Sequence, residues 1–202
     1  NSFTQRKYSG NYPFRGDWQG EKWSRIVGLT PIDGNGSPVQ LKNFELSFEY
    51  RVPLNTPEEC GAFFIGFRQK EAGRFLTSFA KFNQEQSLVR VTNGGINIGS
   101  GSNIDNSDSY FATHYDAAMP ANNTTWLAND GSLVTIKVKV VGNNCEVGVY
   151  KTGTNEALLT YSEALNPDAL QDGYLTLGIG DRQLHMINLT VKRLDDEGNV
   201  ID

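Results

Sequence analysis

The sequence predicts an all-β protein in which two antiparallel sheets pack face to face as a β-sandwich. Apolar and polar side chains alternate with a period of two along several segments, most clearly over 44–51, Phe-Glu-Leu-Ser-Phe-Glu-Tyr-Arg. This period is that of a strand with one face in a core. No long segment shows the apolar period of a helix, so the crossover helices that a parallel sheet requires are missing.

The individual strands are predicted from the alternation and from the turn residues between them. Gly142-Asn143-Asn144 is typical of a hairpin turn, and the nearly continuous apolar run 62–68 predicts a further strand. The short segment 162–170 is assigned a single helical turn, and 23–27 is a candidate first strand. The other predicted strands are 44–51, 75–82, 87–92, 133–141, 146–151, 157–161, 173–179 and 185–194.

Length and charge narrow the class of protein. A chain of 202 residues fits one domain, 1–202, with enough core to fold without metals or many disulfides. The net charge is −5 and no run of Lys or Arg stands out, which argues against a nucleic-acid-binding surface. The apolar runs are too short to span a membrane, and no signal-peptide pattern opens the chain. We therefore expect a mature product or part of a longer protein.

The two cysteines, Cys60 and Cys145, leave the redox state open. A disulfide between them favours an extracellular address, whereas two reduced, buried thiols favour a cytosolic one. Cys145 alternates with Val147 and Val149, so its side chain is predicted to point into the core.

Four segments resemble a known superfamily. Residues 43–51 and 60–68 resemble the paired strands of laminin-G-like and concanavalin-like jelly rolls, and 173–178 with 185–192 resemble the last two strands of the same group. The similarity is nearest to the 3-keto-disaccharide-hydrolase-like domain and related carbohydrate-binding modules. The Gln-x-His-Gly element usual in those hydrolase-like relatives is replaced here by Gly-Ile-Gly-Asp-Arg at 178–182.

The resemblance implies a non-catalytic, lectin-like carbohydrate-binding module of a larger extracellular protein. We accordingly expect a glycan or polysaccharide partner, a secreted or cell-surface location, no nucleic acid and no membrane insertion. The domain is expected to be monomeric within a multidomain protein. A structural or adhesion domain without a sugar site is an alternative, since one fold hosts many functions.

The candidate binding site is the long polar segment 94–131, which carries several aromatic residues. Loops of this length in compact domains are usually functional or disordered, and aromatic residues argue against disorder. Aromatic rings can stack on the apolar C–H faces of sugars, or they can instead pin the loop to the sandwich. The predicted ligand-binding residues are Tyr110, Tyr115, Trp126 and Asp116, with Arg68 and Arg182 bordering the same surface.

A glycoside hydrolase is the alternative function, with Glu45 and Glu49 as the catalytic carboxylates. The two residues share one strand face, as in the Glu-x-Asp-x-Glu pattern of glycosidases with this fold, but the middle position is Ser47. A retaining mechanism needs the two carboxyl groups about 5 Å apart. Simple strand alternation also predicts two exposed glutamates at these positions.

A structural calcium ion is the remaining expectation, because folds of the resembled type often carry one. Asp33 and Asn35 in the turn Asp-Gly-Asn-Gly-Ser at 33–37 offer oxygen ligands on tight backbone. A plain glycine turn explains the same residues. Zinc has no support, because His114 and His185 are the only histidines and no ligand spacing accompanies them.

Overall fold

The computed structural model describes residues 26–51, 62–72, 86–92, 95–100, 115–118, 133–180 and 185–201. These residues contain strands and turns and no helix. The strands are β1 Ile26–Leu29, β2 Gln40–Leu41, β3 Phe44–Arg51, β4 Ala62–Gln69, β5 Ser87–Thr92, β6 Gly95–Ser100, β7 Ala117–Ala118, β8 Val134–Val141, β9 Asn144–Lys151, β10 Ala157–Ala164, β11 Gly173–Gly180 and β12 His185–Arg193.

The strands form two antiparallel sheets, which confirms the predicted all-β sandwich. The larger sheet has the order β1-β11-β4-β5-β6-β7, with β2 pairing beside β11. The smaller sheet has the order β10-β9-β8-β3-β12. Five of the ten strand pairings among the described residues join strands that are not consecutive in the chain, such as β11 beside β4, so the topology depends in part on long-range pairing.

The core lies between the sheets and is built from the apolar side of each alternation. Six apolar residues of the predicted strands 44–51, 133–141 and 146–151 are 2% exposed or less, as expected for strands with one face in a core. They are Phe44, Leu46, Phe48, Ile136, Val138 and Val147. The rings of Phe48 and Tyr50 pack on Phe63 of the larger sheet with centroid distances of 4.9 and 4.5 Å. Complete burial raises the pKa of the Tyr50 phenol.

Several strand bounds differ from those predicted. Segment 94–131 was interpreted as a loop, but β6 and β7 lie within it, and both Ile96 and Ile98 of β6 belong to the core. Residues 162–164 extend β10 instead of starting a helical turn. Residues 26 and 27 of the candidate first strand belong to β1, whereas residues 23–25 and the predicted strand 75–82 lie outside the described residues.

Cys145 has a free thiol that is buried between the sheets, as its alternation with the valines predicted. Burial raises the pKa of this thiol. Cys60 lies outside the described residues. In the part of the chain that the structure describes, no helix is long and apolar enough to cross a membrane.

Candidate functional site

The outer face of the larger sheet carries a cluster of buried polar side chains, which we call the outer polar layer. Arg90, Asn97 and Thr176 project away from the core because they alternate with core residues along β5, β6 and β11. Gln86 directly precedes β5, and Gln69 joins the layer at the end of β4, after the irregular residue Arg68. Their exposed fractions are all 6% or less. The layer consists of Gln69, Gln86, Arg90, Asn97 and Thr176.

One half of the layer is a chain of hydrogen bonds. Nε2 of Gln69 donates to Oε1 of Gln86 at 2.9 Å, and Oγ1 of Thr176 donates to Oε1 of Gln69 at 2.6 Å. Gly66 makes room for this chain, because a Cβ atom there would lie 2.6 Å from Nε2 of Gln69. The glycine and the two amides therefore form one fitted unit, consistent with the rule that buried polar groups are hydrogen-bonded.

The other half of the layer centres on Arg90. Arg90 is paired across the sheet with Asn97 of β6, so their side chains are neighbours on the outer face. The guanidinium carbon of Arg90 lies 5.7 Å from the centroid of the Tyr115 ring, within the range of a cation–π contact. An aromatic ring, a guanidinium group and an amide are thus gathered at the β6–β7 edge of the sheet.

Two of the residues predicted to bind ligand lie at this edge. Tyr115 and Asp116 precede β7 and are both partly exposed. The backbone N–H of Asp116 donates to the carbonyl of Ile96 at 3.0 Å, and Oδ2 of Asp116 accepts from the N–H of Ile98 at 2.9 Å. The carboxylate therefore holds the segment against β6. Tyr110, Trp126 and Arg182 lie outside the described residues.

Arg68 does not lie on the outer face, which corrects the prediction that it borders the binding surface. Its φ of 51° places it in a bulge, where the β4–β11 register skips between Tyr174 and Thr176. The side chain is 1% exposed, and its Nη2 donates to the carbonyls of Gly142 and Lys42 at one end of the sandwich. A ligand from solvent has no access to this guanidinium group.

Burial of the charged Arg68 guanidinium group costs free energy. Nε and Nη1 are buried and have no hydrogen-bond partner among the described residues. Burial lowers the pKa of Arg68, and the nearby Cys145 and Asp172 oppose that shift. Arg68 is consequently a structural residue that ties two turns to β4.

The turn that contains Asp33 and Asn35 is complete without a cation. Oδ1 of Asp33 accepts the backbone N–H groups of Asn35 and Ser37 at 2.8 and 2.9 Å. Calcium takes about six to eight oxygen ligands, and this turn supplies one carboxylate with Oδ1 already engaged. Asp33 and Asn35 do not by themselves fit a calcium ion, and no group of three or more acidic, His or Cys side chains suits a metal within the described ranges.

Glu45 and Glu49 lie on the outer face of the smaller sheet, each beside a different partner on β12. Oε1 of Glu45 is 3.8 Å from Nζ of Lys192, and Oε2 of Glu49 accepts from Nδ2 of Asn188 at 3.2 Å. Four residues of strand separate their Cα atoms by about 13 Å. This arrangement is that of polar residues on an ordinary exposed sheet face, and it offers no convergent pair of carboxyl groups.

Sequence reasoning missed most of the outer polar layer. Arg90, Asn97 and Thr176 occupy the polar positions of alternating strands, which usually face water. The only local signal is the concentration of large polar side chains at successive outward positions of neighbouring strands. That signal is visible only once the strand order is known.

Comparisons with known proteins concern the fold. No family model matches the chain, and no curated protein matches it. The exoplasmic/lumenal domain of VIP36, in its Ca2+/Man-bound form, is 14% identical with a TM-score of 0.50, over 95% of this chain and 92% of that chain. Lectin UEA-II complexed with galactose is 10% identical with a TM-score of 0.46, over 95% of this chain and 98% of that chain. The carbohydrate-binding module CBM66 from Bacillus subtilis is 11% identical with a TM-score of 0.40, over 89% of this chain and 99% of that chain.

At these identities the likeness establishes architecture alone. The match to the VIP36 domain spans nearly the whole of both chains and agrees with the two antiparallel sheets described above. The chain therefore has the concanavalin-like jelly-roll fold that its strand segments resembled.

Proposed function

We propose that the chain is a single, non-catalytic carbohydrate-binding module of a larger, secreted or cell-surface protein, and that its ligand is a glycan. The observation that carries the proposal is the outer polar layer with Tyr115 beside it. A sheet face buried for stability alone is normally apolar, because a buried polar group costs free energy unless it is hydrogen-bonded. The layer holds the partly exposed Tyr115 ring through Arg90, and an aromatic ring held in this way suits a sugar ligand.

The chemistry of the β6–β7 edge matches that of a sugar. Each sugar hydroxyl both donates and accepts, and the partly exposed residues Tyr115 and Asp116 offer it a hydroxyl and a carboxylate. The ring of Tyr115 adds an apolar surface for sugar C–H groups, and the buried Arg90 holds that ring by a cation–π contact. The fold is one that several carbohydrate-binding proteins share, which supports the same proposal.

The proposed contact point is the β6–β7 edge. The layer itself is nearly inaccessible, whereas Tyr115 and Asp116 are partly exposed. We assign ligand contact to these two residues together with Tyr110, Trp126 and Arg182. The buried layer, through Arg90, is assigned the role of positioning Tyr115.

The test is a glycan array with the isolated chain, followed by calorimetric titration of each glycan that binds. Tyr115→Ala and Trp126→Ala should each abolish binding of glycans at the β6–β7 edge while the melting temperature stays close to that of the wild type. Tyr115→Phe is the matched control and should retain binding because it keeps the ring. Absence of binding to every glycan, or full affinity in a folded Tyr115→Ala chain, would contradict the proposal.

Two further variants separate this function from its alternatives. If Trp126 is a core anchor, Trp126→Ala should destabilise the chain by about 3–5 kcal/mol. The double variant Glu45→Gln/Glu49→Gln should leave unchanged the binding of glycans that depend on Tyr115. Cleavage of a bound glycan by the wild type but not by this double variant would assign the chain to the glycoside hydrolases instead.

A further inference from the structure

The outer face of the smaller sheet contains an open groove on the side of the sandwich opposite the outer polar layer. Its volume is about 440 Å³, which is within the range of small-ligand sites. Strands β3, β8, β9 and β10 form its floor. The lining residues that matter here are Glu45, Lys137, Lys139, Glu146, Gly148, Tyr150, Thr160 and Ser162.

An aromatic ring lies along the floor of this groove. Tyr150 folds back over Gly148, two residues earlier on β9, so that a Cβ atom at Gly148 would lie 2.4 Å from Cε2 of Tyr150. Such an approach is possible only because position 148 has no side chain. The partly exposed Tyr150 ring therefore lies close to the sheet and forms part of the groove lining.

The charges in the groove are arranged in two rows across the strands. The first row reads Ser47, Lys137, Gly148 and Thr160, and the second reads Glu45, Lys139, Glu146 and Ser162. Lys139 is thus flanked by a carboxylate on each side. Lys137 instead has neutral cross-strand neighbours, and its Nζ lies 5.1 Å from the centroid of the Tyr150 ring.

We propose that this groove is a second saccharide site and that it binds a uronic acid unit next to a neutral sugar unit. The uronate ring stacks on Tyr150 with its carboxylate on Nζ of Lys137. The neutral unit lies over the second row, where Glu45 and Glu146 accept hydrogen bonds from its hydroxyl groups. The ligand class follows from the proposed sugar-binding function, whereas the site is separate from the one on the larger sheet.

Charge complementarity selects the acidic unit. For any sugar to stack on Tyr150, the ammonium group of Lys137 must move off the ring and give up its cation–π contact. A uronate replaces that contact with an ion pair between its carboxylate and Nζ of Lys137, whereas a neutral sugar offers no such replacement. The two carboxylates of the second row would repel another uronate, so consecutive acidic units are disfavoured. A polymer that alternates uronate with a neutral sugar satisfies both rows.

The experiment is a calorimetric titration of the whole chain with a hyaluronan hexasaccharide, which alternates glucuronate and N-acetylglucosamine, against the neutral chitohexaose. We expect measurable binding of the former and at least about tenfold weaker binding of the latter, as for loss of one charged contact. Tyr150→Ala and Lys137→Met should each weaken hyaluronan binding about tenfold. Gly148→Ala should do the same, because its methyl group displaces the ring.

Controls isolate the ring and the charge. Tyr150→Phe keeps the ring and should bind within about twofold of the wild type, and Lys70→Met should do likewise, because it removes one exposed positive charge after β4 of the opposite sheet, where salt screens it. Equal affinity for both hexasaccharides, or unchanged affinity in folded Tyr150→Ala, Lys137→Met and Gly148→Ala chains, overturns the inference.

The proposals for the two sites can be tested independently of each other. Tyr115→Ala should leave hyaluronan binding in the groove intact, and Tyr150→Ala should leave intact the binding of glycans that depend on Tyr115. Loss of the Tyr115-dependent binding alone removes the proposed function of the larger sheet. Loss of the Tyr150-dependent binding alone removes only the groove.

Discussion

Two aspartates close hairpins with the same hydrogen bonds at opposite ends of the described chain. Oδ1 of Asp33 accepts two backbone N–H groups, and Oδ1 of Asp195 accepts those of Glu197 and Asn199 at 3.0 and 2.7 Å. A glycine three residues later has a positive φ in both turns, 83° at Gly36 and 86° at Gly198. This pairing of a side-chain acceptor with a left-handed glycine is a recurrent way to tighten a turn.

The Asp33 turn should be independent of metal. We expect Asp33→Ala to lower the melting temperature by about 2–4 °C, which is typical of losing about 1 kcal/mol in a chain of this size. The decrease should be the same in calcium and in EDTA, because the carboxylate stabilises the turn through backbone N–H groups. Thermal melts under both conditions measure it, with Asp195→Ala as the matched turn. A larger effect in calcium alone would show that Asp33 is a ligand.

The C-terminal turn should confer acid sensitivity. Hydrogen bonds from the side chain and backbone of Asn199 lower the pKa of Asp195, and those from Lys42 and Asn43 lower the pKa of Asp196. A carboxyl group whose pKa is lower in the folded than in the unfolded chain stabilises the fold at pH values above its unfolded pKa of about 4. This stability is lost as the pH falls through the pKa of the folded chain. The melting temperature should therefore drop below about pH 4.

The matched variant Asp195→Asn/Asp196→Asn tests this assignment, because neither amide titrates. Its melting temperature should be lower than that of the wild type at neutral pH, and the difference should shrink as the solution is acidified. A constant difference across the acid range would mean that other carboxyl groups govern acid unfolding.

At the level of elements, β6 is the strand whose existence matters most for the binding proposal, because it carries Asn97 and pairs with β7. Ile96 is fully buried, so Ile96→Ala should destabilise the chain by about 2–5 kcal/mol in chemical denaturation. Ile32, which is 62% exposed, is the control, and Ile32→Ala should stay within about 0.5 kcal/mol of the wild type. Equal effects would place β6 outside the core.

The elements differ in how well sequence predicts them. The strands of the smaller sheet were predicted closely, because β3 and β8 alternate strictly and one face of that sheet is exposed. β6 was missed because only two apolar residues mark it among Gly, Asn and Ser. The bulge at Arg68 was missed because its φ depends on the pairing with β11, and alternation cannot show where a register skips.

The candidate site was predicted only in part for the same reason. Tyr115 and Asp116 were identified from an unusual aromatic loop, which is a local signal. The outer polar layer combines residues between Gln69 and Asn97 with Thr176 of the distant β11, so its burial is a tertiary property. Tyr150 carried a local clue in the Gly-x-Tyr spacing, but the position of the ring over Gly148 emerges only from the structure.

For the whole molecule, the two sheets have different relations to solvent. The smaller sheet has one apolar and one polar face, whereas the described side chains of β4, β5 and β6 are buried on both faces. One end of the sandwich is secured by Asn43, whose Oδ1 accepts from the N–H of Gly142 at 2.9 Å while its Nδ2 donates to the carbonyl of Asp195 at 3.0 Å. Segments about 100 and 150 residues away are thereby held at one point.

The buried thiol of Cys145 provides a chemical probe for opening of the sandwich. The side chain is fully buried and its pKa is raised, so a thiol reagent meets neither an accessible nor an ionised sulfur in the native state. In a Cys60→Ser chain, alkylation of Cys145 then requires β9 to separate from the opposite sheet, and its rate measures that opening equilibrium. If the two sheets open together, Ile96→Ala on the larger sheet should increase the alkylation rate. The increase should equal the factor by which this variant raises the unfolding equilibrium constant. An unchanged alkylation rate would instead show that β9 separates locally, without opening of the whole sandwich.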